Sequence, residues 1–192
     1  MIAETTLREL LLAGGIKNAE ELARELILRF HSLDGVVSQD AKQLAALAGE
    51  RAAMLIKLSA ALASRRVIDD FEYGVSYTEE EIKKFLVALF RGSSVETLYL
   101  ISLGENGEVL SCDFISEGTV NAANILPRQI IEPAVRNRAA GVIIAHNHPA
   151  GFSWPSTDDV SFTSTVRNIL GSAGISLVSH ITVAGSECST LK

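Results

Sequence analysis

The chain has 192 residues, 17 of them Lys or Arg and 23 Asp or Glu, for a formal net charge of -6. With 47% hydrophobic and 21% charged residues, the composition is globular and excludes a disordered or fibrous chain. No apolar run approaches the ~18–20 residues of a membrane span. Met1–Leu12 carries Glu4 and Glu9 and no basic signal-peptide region. The two cysteines, Cys112 and Cys188, make no disulfide framework, so a reducing cytoplasm is the expected compartment.

Charge is unevenly placed. Residues 1–66 hold nine Lys/Arg against eight Asp/Glu, whereas residues 67–192 hold eight against fifteen. The acidic second part argues against broad contact with a phosphate backbone there. Any nucleic-acid contact is expected in the first part.

Residues 1–66 read as a helical domain. Leu7, Leu10 and Leu11 share a face before Gly14-Gly15. Ala19, Leu22, Ala23, Leu26, Ile27 and Phe30 then form an apolar stripe at three-and-four spacing, with His31 at the helix C-terminus, facing its dipole. A third helix is expected over Gln39–Leu47. A fourth is expected over Arg51–Arg66, with Leu55, Ile56, Leu58 and Leu62 inward.

Residues 67–77 mix charge, glycine and aromatics without a period and read as a linker. Residues 78–192 form the second domain. Thr78 and Glu81 spell a capping box, followed by a helix burying Ile82, Phe85, Leu86 and Leu89. The pattern then changes to strands. Val95–Leu103 and Glu108–Ile115 flank Asn106-Gly107, a hairpin turn signal. Pro127 starts a helix to about Arg138, with Ile130, Ile131, Ala134 and Val135 inward and Pro133 expected to kink or split it. Gly141–Ala145 is continuously apolar, as in a buried central strand. A loop, a helix capped by Ser156 and running to Leu170, and a strand over Ile175–Val183 complete the chain.

The chemistry concentrates in Ala145–Val160, AHNHPAGFSWPSTDDV. His146 and His148 stand at i, i+2 where a strand runs out, so an extended backbone projects both to one face. Such a pair suits Zn²⁺, with Asp159 as a third ligand if the loop folds back. Two other readings stay open. Ser156 and Asp159 form an S-x-x-D cap, and an H-x-H pair can be two ordinary histidines. Trp154 is either a substrate lip or a packed plug, packing being the default. No H-E-x-x-H, deaminase P-C-x-x-C, G-x-S-x-G or Walker A motif is present.

His146, His148, Pro149, Pro155, Ser156 and Asp159 fit H-x-H-P-x-G-x(3)-P-S-x-x-D. This resembles the JAMM (MPN+) metalloprotease motif, and in detail the RadC family of bacterial proteins. Gly118-Thr119, Pro127-Arg128, Ala139–His148 and Ser179–Gly185 extend the resemblance. It implies a cytidine-deaminase-like α/β fold, a mixed sheet flanked by helices, preceded by a small all-α helix-hairpin-helix-like domain. It further implies Zn²⁺ held by His146, His148 and Asp159, with an activated water. Ser156 is the implied oxyanion donor and Glu96, at the opening of the first strand, the implied general base. The activity implied is that of a zinc-dependent metallopeptidase or isopeptidase acting on a peptide or protein.

His180 matches a family position and is read as a structural or supporting histidine rather than a ligand. The family's N-terminal module implies DNA contact through a Gly-hydrophobic-Gly turn, but this chain reads Ala48-Gly49-Glu50-Arg51 there. Glu50 sets a negative charge where a phosphate would lie. Both ends are short for the family. The alternative function is an accessory or DNA-binding protein of repair or recombination whose metal domain is not catalytic.

Overall fold

The computed structural model describes residues 2–118, 125–149 and 151–192. Thr119, quoted above beside Gly118, lies outside them. By its internal contacts the chain divides into two compact units, Met1–Arg66 and Val67–Lys192.

The first unit is helical: α1 (Ile2–Ala13), α2 (Ala19–Phe30), α3 (Leu33–Val37), α4 (Ala41–Ala48) and α5 (Glu50–Asp69), whose last turn enters the second unit. Leu7, Leu11, Leu22, Leu26, Leu44 and Ile56 lie in its core. Helix α3 was not anticipated because five residues are too short for a period. Ser32 caps it, accepting a hydrogen bond from the Gly35 amide at 2.9 Å.

Helix α5 presents a different face from the one expected. Ala52, Ala53 and Ile56 are buried, while Leu58 and Leu62 are more than half exposed. The helix is apolar on more than one side, so spacing alone does not choose the inner face. Gly14 leaves room for it: a methyl group added there would collide with the Leu55 side chain. At the turn into α5, positive φ falls on Gly49 (83°). Glu50 is an ordinary first-turn residue of α5, well suited to the helix dipole, and needs none of glycine's freedom.

The second unit is an α/β domain with a mixed sheet. Its elements are α6 (Glu79–Phe90), β1 (Thr97–Leu103), β2 (Val109–Glu117), α7 (Pro127–Arg136), β3 (Gly141–Asn147), α8 (Thr157–Ser172), β4 (Ser176–Ala184) and β5 (Glu187–Leu191). The five strands run in the order β2-β1-β3-β4-β5. Strands β3 and β4 are parallel and the other neighbours antiparallel. Sequence reading missed β5, because ECSTL carries little apolar alternation.

Local signals act as expected at α6 and the hairpin. Thr78 and Glu81 close both arms of their capping box, and Gly107 takes φ 81° in the turn between β1 and β2. Residues 67–77, read as a linker, finish α5 and then pack. Phe71 stacks on Tyr77 and Phe85 at centroid distances of 4.3 and 3.9 Å. Helix α7 is not split by Pro133, and Val135 points outward rather than in.

The sheet is covered on both faces. Leu98, Leu100, Val142 and Ile144 meet Ile130 of α7 and Phe162, Val166 and Leu170 of α8. Ile101, Ile143, Ala145 and Ile181 meet Ile82, Phe85 and Leu86 of α6 on the other side. All seven residues of β3 are therefore buried, which explains its unbroken apolar run. The same alternation sends His146 to the α8 face.

Replacing Ile56 by Ala is expected to cost about 2–5 kcal/mol of stability. Leu58→Ala, two residues on, stays within about 0.5 kcal/mol of wild type. Chemical denaturation of both variants checks which face of α5 is inside.

Candidate metal centre

The site forms where β3 leaves the sheet. His146 is the sixth residue of the strand and His148 lies one residue beyond it. Extended backbone carries both rings to one side. Their Nε2 atoms stand 2.9 Å apart. The carboxylate of Asp159 arrives from α8, with Oδ1 3.1 Å from His146 Nε2 and Oδ2 3.5 Å from His148 Nε2. Glu96, just ahead of β1, brings Oε1 to 3.8 Å from His148 Nε2. The ligand atoms of Glu96, His146 and His148 all lie within 4.8 Å of one another. Four of the five residues singled out from the sequence thus meet at one point.

The loop does fold back, and the cap reading of Asp159 holds as well. Ser156 donates to Asp159 Oδ2 from its amide (2.7 Å) and its hydroxyl (2.6 Å). Its hydroxyl accepts from the Asp159 amide at 3.1 Å. The capping box consumes Oδ2 and leaves Oδ1 facing His146. The Ser156 hydroxyl proton, expected at an oxyanion, is engaged in this box.

Burial pushes the Asp159 carboxyl up, but the neighbouring His146 ring and the hydrogen bonds from Ser156 outweigh it and hold the group well below the usual carboxylate range. Asp159 is therefore a fixed, buried anion.

The donor set fits a cation. His148 Nδ1 lies 2.8 Å from the carbonyl of Phe152. A carbonyl only accepts, so the neutral His148 ring carries its proton on Nδ1. Its bare Nε2 then faces two carboxylates and another imidazole. Lone pairs that converge this way are reconciled by a positive centre among them. Two imidazoles and a carboxylate are the donor types of a catalytic zinc site with an open position.

Three supporting residues escaped the sequence reading or were underread. Asn147 points to the other side of β3. Its Oδ1 accepts from the Thr97 amide (2.8 Å), and its Nδ2 donates to the Val95 carbonyl (3.0 Å). These bonds clamp the backbone on both sides of Glu96. The middle letter of His-Asn-His was the signal for it. His180 of β4 lies 2.7 Å from His146 Nδ1, and Thr163 of α8 lies 2.7 Å from His180 Nδ1. His180 is fully buried, and burial above all, with the neighbouring His146, holds its pKa down to about 3. The loop carries a further difference. Ser153 is buried against β5, bonded to Ser189 at 3.2 Å. Phe152 and Trp154 on either side are 76% and 75% exposed, so Trp154 is not a packed plug.

The model of the RadC-like JAB domain matches residues 76–192. A UPF0758 protein of Halorhodospira halophila is 32% identical over 174 residues, covering 89% of this chain and 78% of the relative. One from Nitrosococcus oceani is 31% identical over 191 residues, covering 97% and 85%. One from Bordetella avium is 32% identical over 173 residues, covering 88% and 77%. The second unit is thus a JAB/MPN-type α/β domain with a cluster able to hold a metal ion. The chain belongs to the RadC-like JAB domain family. No helix among the described residues is long and apolar enough to cross a membrane.

The His180 burial has a consequence for acid stability. Its folded pKa of about 3 lies below the unfolded value, which is about 6.5. Between those values the unfolded chain binds the extra proton, so stability rises with pH. The metal-free protein is expected to lose stability progressively as pH falls from about 6.5, before the carboxylates protonate. His180→Gln flattens that limb, as unfolding midpoints measured along a pH series will show.

Proposed function

We propose that the chain is a zinc-dependent hydrolase of metallopeptidase or isopeptidase type, acting on a peptide or protein. The observation that carries this reading is the convergence of His146, His148, Asp159 and Glu96 on one point, with ring nitrogens facing carboxylate oxygens. His146, His148 and Asp159 are the ligands in this proposal. Asp159 suits the part because it is buried and its second oxygen is already saturated by Ser156. When bound, the cation supplies Lewis acidity and lowers the pKa of a water to about 7.

The chain's own residues would do the rest. Glu96 is partly exposed, with a quarter of its side chain open to solvent. It is the carboxylate placed to exchange protons, taking one from the attacking water and passing it to the leaving amine. Ser156 turns its hydroxyl from Asp159 toward the developing oxyanion, where one such donor is typically worth ~3 kcal/mol. Asn147 keeps Glu96 in register beside His148 through the flanking backbone.

Elemental analysis after zinc reconstitution tests the centre. About one zinc per chain is expected in the wild type, as in open catalytic sites, and little in His148→Ala or Asp159→Asn. Glu96→Gln is expected to keep the metal and lose about 10²–10⁴-fold in hydrolysis, read on peptide and isopeptide substrates. A wild type that takes up no zinc overturns the proposal.

A further inference from the structure

Behind His146 runs a hydrogen-bonded chain that ends on a fellow member of the cluster. His146 Nδ1 meets His180 Nε2 at 2.7 Å. His180 Nδ1 meets Thr163 Oγ1 at 2.7 Å. Thr163 Oγ1 reaches the backbone carbonyl of Asp159 at 2.6 Å. The ring closes in front, where Asp159 Oδ1 lies 3.1 Å from His146 Nε2. Every group in this circuit is buried: His146, Thr163, His180 and Asp159 expose between 0% and 5% of their surface.

The direction of each bond follows from one atom. The Asp159 carbonyl can only accept, so the single Thr163 hydroxyl proton is committed to it. Thr163 must then accept from His180, which places the His180 ring proton on Nδ1. A fully buried imidazole stays neutral and has one ring proton. His180 Nε2 is therefore bare and accepts from His146 Nδ1–H. The last consequence falls on His146, whose Nε2 lone pair is left pointing at His148, Asp159 and the space between them. With the opposite sense, His146 would carry its proton on Nε2 and offer nothing to a cation.

We propose that Thr163 and His180 are positioning residues that lock His146 in the Nδ1–H form, with the Thr163 hydroxyl setting the sense of the relay. The relay also couples two groups of the cluster: it orients His146 from β3 while tying the first turn of α8, which carries Asp159, to β4. The proposal rests on the metal-centre reading for its affinity readout, and its tautomer readout is independent of any metal.

The test uses the full chain. With only four histidines, ¹⁵N-imidazole NMR of the metal-free protein can assign the His180 ring proton directly. Wild type and Thr163→Ser, which keeps the hydroxyl, are expected to carry it on Nδ1. Thr163→Val, of similar size but lacking the hydroxyl, is expected to shift it toward Nε2. Chelator competition is expected to show zinc affinity reduced about 10–100-fold in Thr163→Val and unchanged in Thr163→Ser. A wild-type His180 proton on Nε2 overturns the relay even if zinc binds. Zinc affinity in a folded Thr163→Val equal to wild type overturns it as well. A wild type that refuses zinc but shows His180 Nδ1–H supports the relay and removes the hydrolase reading instead. Should Thr163→Val not fold, the wild-type tautomer decides.

Discussion

The two oxygens of Asp159 serve different structures. Oδ2 belongs to the helix, where it takes two hydrogen bonds from Ser156. Oδ1 belongs to the cluster, where it faces His146. A buried carboxylate is costly unless its lone pairs are met. Hydrogen bonds to a charged acceptor contribute about 1.5–3 kcal/mol each, and Ser156 supplies two. The start of α8 and the shape of the cluster are consequently one geometry. Shifting α8 along the sheet would pull the carboxylate off His146, and such a shift is opposed by Phe162, Val166 and Leu170, all buried against β1 and β3. Packing energy along sixteen residues of helix thus holds a single anion in place.

The sheet explains why the cluster sits at this end. Along the α8 face of β3 the side chains run Val142, Ile144, His146, apolar until the strand nears its exit. Across the sheet, His146 pairs in register with Thr182, and Thr182 with Ser189. From β3 outward through β5 that row is polar, Leu98 of β1 being its apolar member, where the row beneath it, Leu100 and Ile144, is apolar except at His180. Thr182 Oγ1 is buried without a hydrogen-bond partner, a sign of how abruptly the core gives way to polar groups here. The polar corner lies at the carboxyl ends of β3 and β4, the parallel pair. Open α/β sheets characteristically gather their ligands outside such strand ends.

Much of this was legible in the sequence because the signals are local. Alternation in an extended strand puts His146 and His148 on one side, and S-x-x-D fixes where α8 begins. The mixed α/β architecture follows from the change of period after Gly92 and the apolar run of β3. What was not legible depends on tertiary choice. Spacing in α5 allows more than one buried face, and the core of the first unit takes the one with alanines. Strand β5 is defined by its hydrogen bonds to β4 rather than by its side chains. Trp154 carries the default expectation of a large ring, yet its neighbour Ser153 is the residue turned inward. His180 and Thr163 are seventeen residues apart, and only the packing of α8 on β4 makes them neighbours of His146. Both readings of Asp159, cap and ligand candidate, were available from spacing, and the structure satisfies them together because a carboxylate has two oxygens.

Three consecutive residues of β3's exit show how far alternation can be used. His146 and His148 point to the α8 side, while Asn147 between them points away and bonds the backbone on both sides of Glu96. The strand therefore supplies two cluster imidazoles from one face and, from the other, holds the backbone that carries the partly exposed Glu96. In the proposed reaction this divides labour between the two acids by environment alone. Asp159, buried and saturated on one oxygen, is held as an anion and has little freedom to pick up a proton. Glu96 sits at the rim with a quarter of its side chain open to solvent, its backbone held on both sides by Asn147. A base must change its hydrogen-bond partners as it works, and solvent access at the rim allows that exchange. The two are not interchangeable, since Asp at the rim would fall short of His148.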